Sequence, residues 1–123
     1  MRDDRLMVIY CPVNGVPVLG HVTVDKLNEM VGAPDMRQLD IIPGIVILYD
    51  ASLQKDPAML NRSIWFAKLH GNAVIIGAGS RAAYKDIREL RSLTQNDLIR
   101  LATRGLINLD ELTGALKMEV LSV

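Results

Sequence analysis

The chain has 123 residues, half of them hydrophobic and 23% charged, with 14 basic and 14 acidic side chains and a net charge of zero. That length and composition describe one globular domain, residues 1–123, able to bury a core without a covalent staple. Zero net charge argues against an acidic mimic of DNA or a broadly basic coat for nucleic acid, and a lone cysteine, Cys11, leaves no disulfide framework or cysteine-based metal cluster.

The opening Met1–Arg5 does not read as a signal peptide, and no apolar run nears the ~20 residues needed to span a bilayer, so a cytoplasmic protein with no membrane partner is expected. The charge is unevenly spread. Residues 62–104 hold eight basic and three acidic side chains, whereas residues 1–61 hold five and eight. A positive surface is therefore expected from the middle of the chain.

Arg5–Cys11 is a strand candidate, apolar enough to be buried on both faces. Pro12, Asn14, Gly15 and Pro17 form a turn, and Val16–Val22 returns as a second strand weakened by Pro17. Thr23 caps a short helix over Val24–Val31, with Leu27, Met30 and Val31 facing inward and Gly32 as its left-handed stop. Leu39–Ile42 and Ile45–Tyr49 are strands joined through Pro43-Gly44. Asp50–Pro57 is polar and turn-forming, Asn61–Leu69 is a helical turn or an irregular segment, and Asn72–Ile76 is the last clear strand.

The final third is helical. Ser80–Leu90 places Ala83, Ile87 and Leu90 on one face and Arg81, Lys85 and Arg88 on the other. Thr94 and Asp97 have the spacing of a capping box, Leu93 and Leu98 that of a hydrophobic staple, and Gly105 ends the helix they open. The pattern repeats with Ile107 and Leu112 as staple, Asn108 as cap and Glu111 at the third helical position. The expected fold is α+β: four or five mostly antiparallel strands packed by the C-terminal helices, since parallel pairs need long crossovers that the first half lacks.

Gly77-Ala78-Gly79-Ser80-Arg81-Ala82 follows a strand and opens a helix, with glycine spacing that fits a dinucleotide-binding turn. The acid about 20 residues on that such a site needs is missing, because that position falls in the Thr94 helix. The plainer reading is a tight strand-to-helix turn. A looser anion site remains in view, formed by Gly77, Gly79 and Ser80 beside Arg81, Lys85 and Arg88. Asn61 and Arg62 would add contacts from the segment before the strand. Arg62 sits between Leu60 and Ile64 and has two readings: it pairs with Asp50 or Asp56, or it points into a cleft near Gly77–Arg81.

No catalytic constellation emerges. His21 and His70 have no neighbours at metal-ligand spacing. Cys11 ends an apolar strand and reads as a small buried residue. Asp50 and Asp56 read as turn formers, and Trp65 and Phe66 as core. The helix pair Gln95–Arg104 and Leu109–Met118 is not a DNA reader, because its second helix opens Leu109-Asp110-Glu111. No metal and no cofactor are expected, and sequence-specific DNA binding is disfavoured.

From Lys26 to about Leu101 the chain resembles the uncharacterised family of short phage, prophage and plasmid proteins known as domain of unknown function 3846. The residues that carry this are Met30-Val31-Gly32, the hairpin Leu39–Tyr49, Leu60-Asn61-Arg62, then His70-Gly71-Asn72 with its apolar strand and Gly77, and Ser92-Leu93-Thr94 opening a helix. Where the family often has a second glycine and an acid, this chain has Ala33 and Pro34. The resemblance implies a mobile-element origin and an α+β fold, and no activity. Two functions follow as expectations. One is a non-catalytic accessory protein that binds a host protein, to inhibit a defence system. The alternative is a small-molecule binder that sequesters a phosphorylated, linear or cyclic, nucleotide at a homo-oligomer interface.

Overall fold

A computed structural model describes residues 5–13, 16–31, 36–54, 57–61, 68–79 and 90–108. They form strands β1 (Leu6–Cys11) and β2 (Val18–Val22), helix α1 (Val24–Val31), and strands β3 (Met36–Ile42), β4 (Ile45–Asp50), β5 (Ala73–Ala78) and β6 (Leu90–Arg91). Helix α2 (Gln95–Thr103) follows, and two single 3₁₀ turns, Ala51–Leu53 and Pro57–Met59, lie between β4 and β5.

The strands make one sheet in the order β2-β1-β5-β4-β3, with β6 joining β5, and every pair is antiparallel. The α+β expectation therefore holds. All six residues of β5 are buried, as are five of the six in β4. Antiparallel sheets often leave one face wet; here both faces are covered. Leu27 and Val31 of α1 pack with Val8, Val46, Leu48, Val74 and Ile76 on one face. Leu93, Leu98 and Leu101 pack with Ile9, Ile45, Ile47 and Ile75 on the other. Each such side chain contributes about 1.5–3 kcal/mol by leaving water. The C-terminal α2 thus covers one face as expected, and α1 covers the second.

Local chemistry sets the helix ends. The Thr94 hydroxyl accepts from the Asp97 amide (3.1 Å) and the Asp97 carboxylate accepts from the Thr94 amide (2.9 Å), which closes the capping box. At the other end Gly105 takes φ +72°. Its amide bonds Ala102 O, and the Leu106 amide bonds Leu101 O, both at 2.9 Å. These are the two bonds of a Schellman stop, with partly buried Leu106 packed against the core cluster that contains Leu101. The β3–β4 turn uses Gly44 at φ +83°.

Several boundaries differ from the sequence reading. β2 begins at Val18, after Pro17, which cannot donate to the ladder. β3 begins at Met36, three residues early, because exposed Arg37 and Asp40 on this edge strand obscure the apolar alternation. β5 runs on to Ala78, so Gly77 is a strand residue. Leu90, expected at the end of a helix, pairs with Ala78 as part of β6. The rest of that helix (80–89), the Asn14-Gly15 turn, Gly32, Asp56, Trp65, Phe66 and the helix 109–118 lie outside the described residues.

The cause of β6 is a fork in the sheet. β1 pairs with β5 from Cys11↔Ala73 to Ile9↔Ile75 and then departs. On the edge that β1 leaves, Gly77 and Ala78 would have no neighbouring strand, and Arg91 and Leu90 pair with them instead. The fork is closed by Met7, whose carbonyl accepts from the Leu93 amide (2.9 Å) and whose amide donates to Ser92 Oγ (2.8 Å).

Candidate functional site

The candidate residues that the structure describes fall at opposite ends of β5. Asn61 lies at its start, against Gly71, while Gly77 lies near its finish. Gly71 and Gly77 are six positions apart along the chain, roughly 20 Å at 3.3 Å per residue. Asn61 and Gly77 are therefore not brought together. Arg62, Ser80, Arg81, Lys85 and Arg88 lie outside the described residues.

At the start of β5 the polar side chains hold loops. Asn61 is buried, and its Nδ2 donates to Cys11 O and Gly71 O, both at 2.9 Å. This ties the end of β1 to the approach to β5 across 50 residues of sequence. The Asn61 amide donates to Leu69 O and the Gly71 amide to Met59 O. Gln54 Nε2 donates to Asp50 O (2.7 Å) and His70 O (2.8 Å), and its Oε1 accepts from the His70 amide (2.9 Å). The buried Asp50 carboxylate accepts from the amide and hydroxyl of Ser52, the turn-forming role its position suggested. Cys11 is buried, and burial pushes its thiol up to about 12, so it stays protonated and unreactive at neutral pH.

At the finish of β5, where Gly77 and Ala78 are strand residues, lies an unexpected charged cluster. Arg91 Nη1 donates to Asp97 Oδ2 (2.7 Å) and to Ser92 O (3.0 Å), and its Nη2 donates to Gly44 O (2.9 Å). Arg100 reaches the same carboxylate at 3.5 Å, and its Nη2 donates to Pro43 O at 2.7 Å. Asp97 is buried. Burial by itself would raise its carboxyl pKa, but the bonds from Arg91 and Thr94 and the Arg91 charge outweigh that and hold it below the usual carboxylate range. Two guanidinium groups thus share one carboxylate, with positive charge in surplus.

Gly77 serves this cluster. A Cβ there would meet Arg91 Nη1 at 2.6 Å, Cγ at 2.8 Å and Cζ at 2.9 Å. The space expected to admit a phosphate is filled by the Arg91 side chain. Gly79 follows β5 and is half-buried. The capping-box spacing found Asp97 in the sequence, and its i,i+3 spacing to Arg100 on the same helix is a local signal for that pair, whereas nothing local marks Arg91, which comes from the preceding strand.

Chemically, these groups can anchor charge and backbone. Among the described residues, no group of three or more His, Cys, Asp or Glu converges to hold a metal, and no helix is long and apolar enough to cross a membrane. A scan against family models, a search of curated proteins and a search of solved structures return no match to this chain.

Proposed function

We propose that this chain is a mobile-element accessory protein that acts by binding, not by catalysis, and that it inhibits a host defence system by occluding a host protein. The resemblance of Lys26–Leu101 to the phage, prophage and plasmid family supports the setting. The observation that carries the mode of action is the use made of polar side chains at both ends of β5. Asn61, Gln54 and Asp50 hold loops, and Arg91, Arg100 and Asp97 hold β6 and α2 to the β3–β4 turn. With these described polar groups committed to the framework, the exposed surface is left to act with.

The nucleotide-binding alternative loses Gly77 as a phosphate cradle, because Arg91 lies over it. Affinity capture from host extract, followed by reconstitution with the purified partner, tests the main reading. Failure to find a specific partner, together with turnover of a substrate, would overturn it. A thermal-shift panel of linear and cyclic nucleotides separates the alternative, since a bound nucleotide in large excess would add a few kcal/mol of stability by mass action.

A further inference from the structure

We infer that the chain pairs with a second copy of itself through the free edge of β2, in one antiparallel register centred on Gly20. Self-pairing at this edge goes beyond the binding function above and does not depend on it. The strand order leaves β2 and β3 as the edges of the sheet. β3 is blunted: it carries exposed Arg37 and Asp40, and its register shifts between Asp40 and Ile42. β2 reads Val-Leu-Gly-His-Val, with no acid, lysine or arginine, and pairs with β1 in unbroken register. α1 leaves the end of β2 and packs chiefly over β4 and β5. Among the described residues no strand lies beyond β2.

The backbone groups on that edge follow from Met7. Its amide and carbonyl both point away from β2, to Ser92 Oγ and the Leu93 amide. Successive strand residues direct their backbone groups to alternate sides, so Leu6, Val8 and Tyr10 bond Val22, Gly20 and Val18. Leu19 and His21 therefore present their amides and carbonyls outward, flanked by Pro17 and Thr23. These positions are complementary to themselves. With Gly20 facing its own copy across a two-fold axis, Leu19 falls opposite His21 of the second copy, and the pair exchanges both bonds. Pro17 falls opposite Thr23 of the second copy. Pro17 has no amide to give, and the Thr23 carbonyl already accepts from the Lys26 amide at 3.1 Å. The missing donor thus meets the acceptor that needs none, while the Thr23 amide donates to Pro17 O. A slide of two residues sets Pro17 against His21, or Leu19 against Thr23, and strands an acceptor or a donor. The side chains agree with the same register. Val18 and Val22 share the α1 face with Val8 and Tyr10, and exposed Val18 (36%) meets Val22 of the second copy on both sides of the axis.

Sedimentation velocity over a dilution series of the full chain should show a monomer–dimer equilibrium. Amide hydrogen exchange in the same series should slow at Leu19 and His21 as the dimer forms, while Val18, Gly20 and Val22, bonded to β1, stay protected throughout. Val18→Cys combined with Val22→Cys should give an intermolecular disulfide on oxidation of the native protein, and neither substitution alone should, because this register sets those two positions opposite each other. His21→Pro removes an outward amide and should weaken the dimer at least tenfold. Val18→Lys places a charge on the edge at an exposed side chain, so it should melt with the parent and weaken the dimer as much, which covers a proline variant that fails to fold. A monomer at every concentration, a dimer whose Leu19 and His21 amides stay unprotected, or cross-linking by either single variant would overturn the inference. Protection of those two amides only when a host protein is added would replace the second copy with a foreign strand.

Discussion

Replacing Gly77 with alanine tests the framework role of this residue. The new Cβ would lie under 3.0 Å from three atoms spread along the Arg91 side chain, Cγ, Cζ and Nη1. Rotation of the guanidinium alone cannot relieve contacts that begin at Cγ, so the whole side chain must lift from the strand. Arg91 then loses its 2.7 Å bond to Asp97 and its 2.9 Å bond to Gly44 O. A bond to a charged group is worth about 1.5–3 kcal/mol, and overpacking adds about 1–3 kcal/mol where relief is partial. Against this, alanine restricts the unfolded chain and returns roughly 0.4–1 kcal/mol. With the side chain fully lifted the overpacking is relieved, and the two lost bonds less the alanine gain leave a net loss of about 2–5.5 kcal/mol. For a chain of this size, at about 4 °C per kcal/mol, that lowers Tm by roughly 8–22 °C. The control is the same substitution in an Arg91→Ala background, where the obstructing atoms are gone and Gly77→Ala should cost almost nothing. Thermal melts of the four proteins give the coupling energy. A Gly77→Ala cost that is unchanged without Arg91 would refute the reasoning, as would a neutral single variant.

Asp97 is held below the ordinary carboxylate range in the folded chain, so its ionised form stabilises the fold above the unfolded value of about 3.9, and that contribution disappears as pH falls through the folded value. Urea midpoints from pH 6 down to pH 3 should show the gap between the parent and Asp97→Asn narrowing below about pH 4, and a constant gap would contradict the ion-pair assignment. Asn61→Ala leaves two carbonyls, Cys11 O and Gly71 O, without the donor that now serves them, and should cost about 2–4 kcal/mol; Leu60→Ala, at a more exposed neighbour, should cost well under half of that in the same denaturation assay. Cys11 should resist a thiol reagent in the native protein at neutral pH and react fully in denaturant, because burial keeps it protonated; rapid labelling of the native chain would show that β1 opens readily.

Features written into neighbouring residues were legible without coordinates. The bounds of α1, the Thr94/Asp97 box, the Leu93/Leu98 staple, the Gly105 stop and the Pro43-Gly44 turn all stand where the sequence places them. Each depends on bonds or contacts spanning a few positions, where side-chain type and spacing carry the whole signal. The antiparallel α+β class was legible for a similar reason: short connections between apolar runs leave no room for crossovers. The order of the strands, the fork that admits β6, the Asn61 clamp and the seat that Gly77 makes for Arg91 were not. A local reading takes Gly77 as a turn residue and Leu90 as helical, and both are overruled by partners far along the chain. Arg91 meets Gly44 O across 47 residues, and Asn61 meets Cys11 O across 50. Such contacts form only when burying the two faces of β4 and β5 brings remote segments together, and the backbone groups that burial leaves unpaired then select which side chains serve them.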